Sequence, residues 1–225
     1  MLQDLLALFY PNLCAGCSKN LLKNEKVICI DCRASMPRTD FHTFRENPVH
    51  KLFRGRTKVE SSTSLLYFIK GAGVQHMLHE LKYKGNTELG EELGNELGNV
   101  LKDSDYFRGI DAVIPVPLHP QKERKRGYNQ SMVIAKGVAK SMDIEASKNL
   151  IRKANSDSQT RKSRYERWRN VETVFAVKNP ESLKGKHILL IDDVITTGAT
   201  IEACVNELLK LDGTKVSVAT LACTQ

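Results

Sequence analysis

The sequence predicts an α/β protein: a parallel sheet flanked by helices, preceded by a small cysteine-bearing N-terminal module. Three observations carry this. From Ile110 onward apolar strands alternate with stretches of helical periodicity, the pattern of a parallel sheet covered by helices. The apolar run Ile188–Ile191 is short and rich in β-branched residues and leucine, as in a central strand buried on both faces. Cys14, Cys17, Cys29 and Cys32 form C-x2-C-x11-C-x2-C ahead of all of this. At 225 residues, 41% hydrophobic and 27% charged, the chain has the composition of a soluble globular protein with room for one ordinary domain and a small one. Its apolar runs fall short of the ~20 residues of a membrane span, so no stable membrane insertion is expected. The first residues, MLQDLLALFYP, carry Asp4 and no basic cluster, which argues against a secretory signal and for a cytoplasmic protein.

Taken in order, Leu2, Leu5, Leu6 and Phe9 mark a short amphipathic helix. The two cysteine pairs let four thiolates converge on one tetrahedral ion, so a structural zinc ribbon is expected; a pair of redox dithiols and a disulfide staple are the alternatives. Residues 37–58 read as a connector, giving an N-terminal unit over 1–58 and a larger domain over 59–225. That domain opens with a strand at Thr63–Ile69 and a helix at Val74–Tyr83. In ELGEELGNELGNVL, Leu89, Leu93, Leu97 and Leu101 stand four apart beside Gly90, Gly94 and Gly98, a stripe that favours a close internal helix crossing over a binding role.

Strands follow at Ile110–Val116, Leu150–Lys153, Val171–Val177, Lys186–Ile191 and Lys215–Ala222, with helices at Ser131–Met142 and Thr200–Leu211. Cys204 and Cys223 fall on apolar faces and read as small core residues. Sites in parallel sheets lie at the carboxyl ends of the strands. There the central strand is followed by Asp192 and Asp193, then by Thr196, Thr197, Gly198, Ala199 and Thr200. A glycine-containing turn into a helix offers free backbone N–H groups to a phosphate, while carboxylates accept hydrogen bonds from sugar hydroxyls. An ordinary capped helix, with Thr197 or Thr200 as N-cap, is the plainer alternative.

The stretch HILLIDDVITTGAT resembles the ribose-phosphate loop of the type I phosphoribosyltransferases, which bind 5-phosphoribosyl-1-pyrophosphate (PRPP). The resemblance implies that Asp192 and Asp193 hold the ribose 2′ and 3′ hydroxyls and that Thr196–Thr200 hold the 5-phosphate, with Mg2+ arriving on PRPP itself.

Two segments hold the basic excess of the chain. From His119 to Arg169 there are 14 Lys and Arg against 5 Asp and Glu, whereas the remainder holds 20 against 21. Charge gathered around a predicted phosphate site points to phosphate ligands. PVPLHPQKERKRGYNQS, LIRKANSDSQTRKSRYERWRNV and ILLIDDVITTGAT, with KYKG at Lys82–Gly85 and the four cysteines, are together similar to the competence protein F (ComF, ComFC) family, an amidophosphoribosyltransferase-like group. That resemblance spans nearly the whole chain. It implies a phosphoribosyltransferase-type domain behind a zinc ribbon and an association with uptake of single-stranded DNA in natural competence, with other competence proteins as partners.

A transferase of this type displaces pyrophosphate from C1 of PRPP, so the leaving group needs charge neutralisation. Lys122, Arg124 and Arg126, with Arg161, Lys162 and Arg164 on a second segment, are the candidates for it, and Gln159, Thr160 and Tyr128 are placed to help close the site. Tyr128, Tyr165 and Trp168 stand among the charges as candidate base-stacking residues, Trp168 being at least as well suited to anchoring its segment. No catalytic residue emerges; His119 and Asp111 are near the right strand without a base's signature. Residues 1–36 are consumed by the cysteine module, which leaves no place for a glutaminase domain. Three roles fit: a PRPP-binding protein that handles single-stranded DNA, an active phosphoribosyltransferase on a small base or amine with no DNA role, and a protein for which PRPP is a regulatory ligand.

Overall fold

The computed structural model describes residues 12–153 and 174–224. In chain order the elements are α1 (Ile30–Ala34), α2 (Pro48–Lys51), β1 (Ser62–Tyr67), α3 (Gly73–Tyr83), α4 (Thr87–Lys102), β2 (Ala112–Pro115), α5 (Pro120–Arg126), α6 (Gln130–Met142), β3 (Glu145–Ala146), β4 (Leu150–Arg152), β5 (Phe175–Val177), β6 (His187–Ile195), α7 (Ala199–Leu208) and β7 (Lys215–Cys223). Five strands form one parallel sheet in the order β1-β7-β6-β2-β3, while β4 and β5 make a separate antiparallel ribbon. The expected parallel sheet with flanking helices is therefore present.

β6 is the central strand, and Ile188 to Ile191 are all fully buried. Alternation divides them: Ile188 and Leu190 join the core under α7, Leu189 and Ile191 the core under α4 and α6. On the second face Leu89, Leu93, Leu97 and Leu101 of α4 lie against Ile134 and Val138 of α6. The glycine stripe makes this crossing close. A Cβ on Gly94 would stand 2.3 Å from the Ile134 carbonyl oxygen, and one on Gly137 of α6 would stand 2.3 Å from that of Glu91, so only hydrogen fits at either position.

Several boundaries differ from the sequence expectation. Residues 37–58 are no mere connector. Phe41, Val49 and Phe53 are buried in the α7-side core, and the buried Asn47 amide donates to the carbonyls of Phe41 (3.1 Å) and Ser62 (2.7 Å), stitching the segment to β1. The basic stretch after Pro117 is helical, because Pro120 starts α5 at a position where its missing N–H goes unneeded and Gly127, at φ 86°, ends it. β6 runs on to Ile195 because β7 stays paired with it that far, whereas pairing with β2 stops at Ile191. β5 pairs with β4 and stays outside the parallel sheet. The short edge strand β3 goes unmarked in the sequence, since two residues are too few to carry a period. Cys204 and Cys223 are core residues, as expected. The N-terminal helix expected from Leu2, Leu5, Leu6 and Phe9 lies outside the described residues, and so do Val171–Glu172 and Thr173 of the expected strand. Among the described residues no helix is long and apolar enough to cross a membrane.

Candidate functional site

β2 and β6 are neighbours, but the chain leaves them in opposite directions. From β2 it passes through α6 on one face to β3; from β6 it passes through α7 on the other face to β7. Such a reversal opens a crevice at the carboxyl ends of the two strands. The loop after β2 and the turn after β6, the two segments singled out in the sequence, flank it.

Asp192 and Asp193 stand where β6 has outrun β2. As neighbours on a strand they point to opposite faces, and each has its own partners. Asp193 is buried, with Oδ2 2.7 Å from Lys82 Nζ and Oδ1 accepting from the Val194 N–H at 2.9 Å. Asp192 Oδ1 accepts from Ser131 Oγ at 2.8 Å and from the Asp193 N–H at 2.9 Å. Withdrawal from water, reinforced by the adjacent charge of Asp193, pushes the Asp192 carboxyl up to about 8 in spite of those two donors.

The turn Thr196–Thr200, with Asp192, lines a cavity of about 70 Å3. Gly198 is the N-cap residue of α7 at φ 75°, and a Cβ there would meet Phe53 at 3.3 Å, so glycine is required by conformation and by space. Thr197 Oγ1 reaches the Ala199 N–H only at 3.5 Å, and among the described residues no acceptor meets the N–H groups of Thr200 and Ile201. Neither threonine is an ordinary N-cap, and the helix start presents donors to the crevice. Arg56 braces the turn by donating to the Thr197 carbonyl at 2.9 Å and pairing with Glu202.

The RGYNQS motif turns out to be a set of braces. Arg126 hydrogen-bonds to Gln130 and lies 5.4 Å from the centre of the exposed Tyr83 ring. Tyr128 is half-buried, its hydroxyl donates to the Leu81 carbonyl, and burial raises its pKa. Asn129 caps α6 through the Ser131 N–H and donates to the Val116 carbonyl, both at 3.0 Å. Ser131 then reaches Asp192. Lys122, Arg124 and Lys125 are exposed to solvent on α5, the helix that follows β2. Arg161, Lys162, Arg164, Gln159, Thr160, Tyr165 and Trp168 lie outside the described residues. His119 caps α5, with Nδ1 accepting from the Gln121 N–H at 3.3 Å. Asp111 belongs to the opposite end of the sheet, where it accepts from the His187 N–H at 2.7 Å, and is no base for this crevice. Lys82, Ser131 and Arg56 are the partners of Asp193, Asp192 and Thr197 that sequence reasoning did not assign. The KYKG and GYNQS motifs flagged the first two; nothing local flags Arg56.

The four cysteines also converge. Their Sγ atoms all lie within 4.8 Å of one another, and Cys17 and Cys29 are 3.7 Å apart. A tetrahedron with Zn–S bonds of about 2.3 Å has edges of roughly 3.8 Å, so the cluster fits a zinc ion. Backbone N–H groups of Gly16 and Cys29 point at Cys14 Sγ (3.4 and 3.2 Å), and that of Cys32 at Cys29 Sγ (3.4 Å). Burial opposes ionisation of Cys14, yet these donors bring it down to about 6. A Cβ on Gly16 would stand 2.9 Å from Cys32 Sγ, which explains a glycine between the first two ligands. The module is not free-standing: Val27, Ile28 and Met36 share a core with Val74 and Met77 of α3, and Arg33 and Arg38 pair with Glu92 and Glu96 of α4.

The part of this sheet that holds the crevice and turn is similar to a known family: the family model described as "Phosphoribosyl transferase domain" matches residues 129–224, from the cap of α6 through β7. Over most of its length the chain is further similar to proteins named for competence and DNA utilization. It is 28% identical over 206 residues to competence protein ComFC of Bacillus subtilis, covering 84% of this chain and 81% of that one. It is 24% identical over 217 residues to DNA utilization protein YhgH of Escherichia coli O157:H7 (95% and 91%), and 30% identical over 114 residues to competence protein F of Haemophilus influenzae, half of each chain.

The raised carboxyl of Asp192 has a consequence for stability. An unfolded aspartate titrates near 3.9, so the folded chain holds this proton more tightly than the unfolded one. The contribution is fully present below about pH 4 and is lost as pH rises toward about 8. Asp192→Asn removes the titration. Its melting temperature relative to wild type is expected to rise between pH 5 and pH 8, and a difference that stays constant across that range would contradict the assignment.

Proposed function

We propose that the protein binds PRPP in the crevice between β2 and β6 and serves, as a ComF-type protein, in the uptake or use of single-stranded DNA. The observation that carries the PRPP reading is the uncapped start of α7, opened by Gly198 in the left-handed conformation, beside two carboxylates at the switch point. In this reading the turn Thr196–Thr200 takes the 5-phosphate on its backbone N–H groups. Asp192 and Asp193 accept from the ribose hydroxyls, with Lys82 and Ser131 holding the two carboxylates in place. Lys122, Arg124, Arg126, Arg161, Lys162 and Arg164 are assigned to the pyrophosphate from the sequence. Magnesium, carried by the diphosphate, would add charge neutralisation of the leaving group.

Asp192→Asn with Asp193→Asn is expected to abolish Mg–PRPP binding in calorimetry, since hydrogen bonds to charged groups contribute about 1.5–3 kcal/mol each. Because free Asp192 is largely protonated below about pH 8, its use as an acceptor should release a proton. Binding enthalpies at pH 7 should therefore differ between buffers of different ionisation enthalpy. Equal affinity in wild type and double variant would place PRPP elsewhere.

A structural zinc ion held by Cys14, Cys17, Cys29 and Cys32 belongs to the same proposal, supported by the fit of the sulfur cluster. One zinc per chain is expected from metal analysis of protein purified under reducing conditions. Cys14→Ser and Cys29→Ser should lower the melting temperature by many degrees, because the module draws its folding energy from the metal. Metal analysis that returns no zinc, together with cysteine variants that melt like wild type, would remove zinc from the reading.

The DNA role rests on the relatives named for competence and DNA utilization and on the basic region His119–Arg169. It implies work in the cytoplasm beside other competence proteins. Affinity for single-stranded DNA should be indifferent to sequence and should fall with salt. Each neutralised phosphate contributes about −0.7 to the slope of log K against log salt, so four to six contacts give roughly −3 to −4. Neutralising Lys125, Arg167 and Arg169 should flatten that slope and spare PRPP. No binding at low salt would leave a phosphoribosyltransferase without a DNA role as the better reading.

A further inference from the structure

Away from the crevice, an open groove of about 810 Å3 runs between the cysteine module and α4. The module contributes Leu22, Ile28 and Ile30 to it, and α4 contributes Glu88 and Glu91. Ile28 is buried, but Leu22 and Ile30 are 70% and 69% exposed, an unusual display for two large apolar side chains on one small loop. They are held in place. The Glu25 carboxylate accepts from the Leu22 N–H at 2.8 Å and from the Ile30 N–H at 2.7 Å, so one acid pins the backbone beneath both. The lining holds four Lys and Arg against four Glu and thus carries no net charge, which makes it a poor seat for a nucleic acid or a basic tail.

The course of the chain names an occupant. Leu13 forms an antiparallel bridge with Asn20, and the Leu21 N–H donates to the Asn12 carbonyl at 2.8 Å. Followed backward from Asn12, that pairing leads toward Leu22, so the eleven residues that precede Asn12 are delivered to the rim of the groove. Among them Leu2, Leu5, Leu6 and Phe9 share one face at helical spacing, whereas Gln3, Asp4 and Ala7 fall on the opposite side. Pro11 disfavours helix at Tyr10, which lets the chain turn between Phe9 and Asn12. Size agrees as well. About 150 Å3 suffices for one benzene-sized group, so the groove takes roughly five, and the segment offers four. With one acid and no Lys or Arg, residues 1–11 also lack the basic face by which interfacial helices hold anionic lipid. We propose that residues 2–9 lie in this groove as a helix, with Leu2, Leu5, Leu6 and Phe9 on Leu22 and Ile30, and strap the cysteine module to α4.

A double-variant cycle in the full-length protein, purified under reducing conditions, tests the strap. An exposed side chain with nothing over it tolerates substitution, so Ile30→Asp discriminates: under a strap it lowers the melting temperature by roughly 3–8 °C, and in an open groove by about 2 °C or less. Leu6→Asp should cost as much as Ile30→Asp, and the two together little more than one alone, because either expels the segment. Ala7→Asp should stay within about 2 °C of wild type. Leu22→Asp takes the place of Ile30→Asp if that variant fails to fold. In wild type, nuclear Overhauser contacts are expected from the Phe9 ring to the Leu22 or Ile30 methyl groups, and Leu6→Asp should abolish them. A neutral Ile30→Asp, additive losses, an Ala7→Asp as damaging as Leu6→Asp, or Phe9 contacts to another surface each overturn the proposal. So does a coupling that grows with protein concentration, which would give the groove to a second copy of the chain.

Discussion

Two parallel neighbours, β2 and β6, whose onward connections must cross to opposite faces of the sheet, are the constraint on which the rest of this protein depends. A right-handed crossover can cover only one face at a time, so α6 and α7 end up on different sides, and among the described residues no helix closes the gap between the strand ends. The acidic pair and the open start of α7 meet there. The burial of β6 on both faces fixes its register, and that register puts Asp192 and Asp193 at the step where β2 has ended and β7 continues.

The step explains the electrostatics. Two carboxylates side by side on one strand repel each other, and the fold separates their fates by sending them to opposite faces. Asp193 gains a lysine ammonium; Asp192 gains a hydroxyl and a backbone N–H and retains a proton in neutral solution. The partners come from distant chain segments. Lys82 is positioned at the end of α3, where the Tyr128 hydroxyl holds the Leu81 carbonyl, and Ser131 stands in the first turn of α6, where Asn129 ties the helix to the β2 loop. Residues that look like a ligand-binding motif in the sequence thus spend much of their chemistry on one another.

The cysteine module is tied to the same frame by apolar contact with α3 and by ion pairs with α4. α4 in turn meets α6 at glycine-only separation, so the module, the two helices and the Ser131 end of the crevice form one packed body. Residues 37–58 complete it from the other face. Phe53 lies against Gly198, and Arg56 holds the Thr197 carbonyl, so a stretch with a polar, linker-like composition braces the turn that opens α7.

Local sequence sufficed wherever the signal is a short-range period or a spacing. The buried central strand, the leucine–glycine helix, the paired cysteines and the acid–threonine–glycine turn are written in consecutive residues, because alternation, helical repeat and ligand spacing are properties of a few neighbours. Tertiary structure alone decided what crosses the chain. It showed that Tyr128 is an anchor, that Asp111 lies at the far end of the sheet, that β4 pairs with β5, and that Lys82, Ser131 and Arg56 reach the site from 111, 61 and 141 residues away in sequence, to Asp193, Asp192 and Thr197 respectively. Those placements follow from the packing of whole helices on a twisted sheet, and a side chain's partner across such a distance leaves no trace in its immediate neighbours.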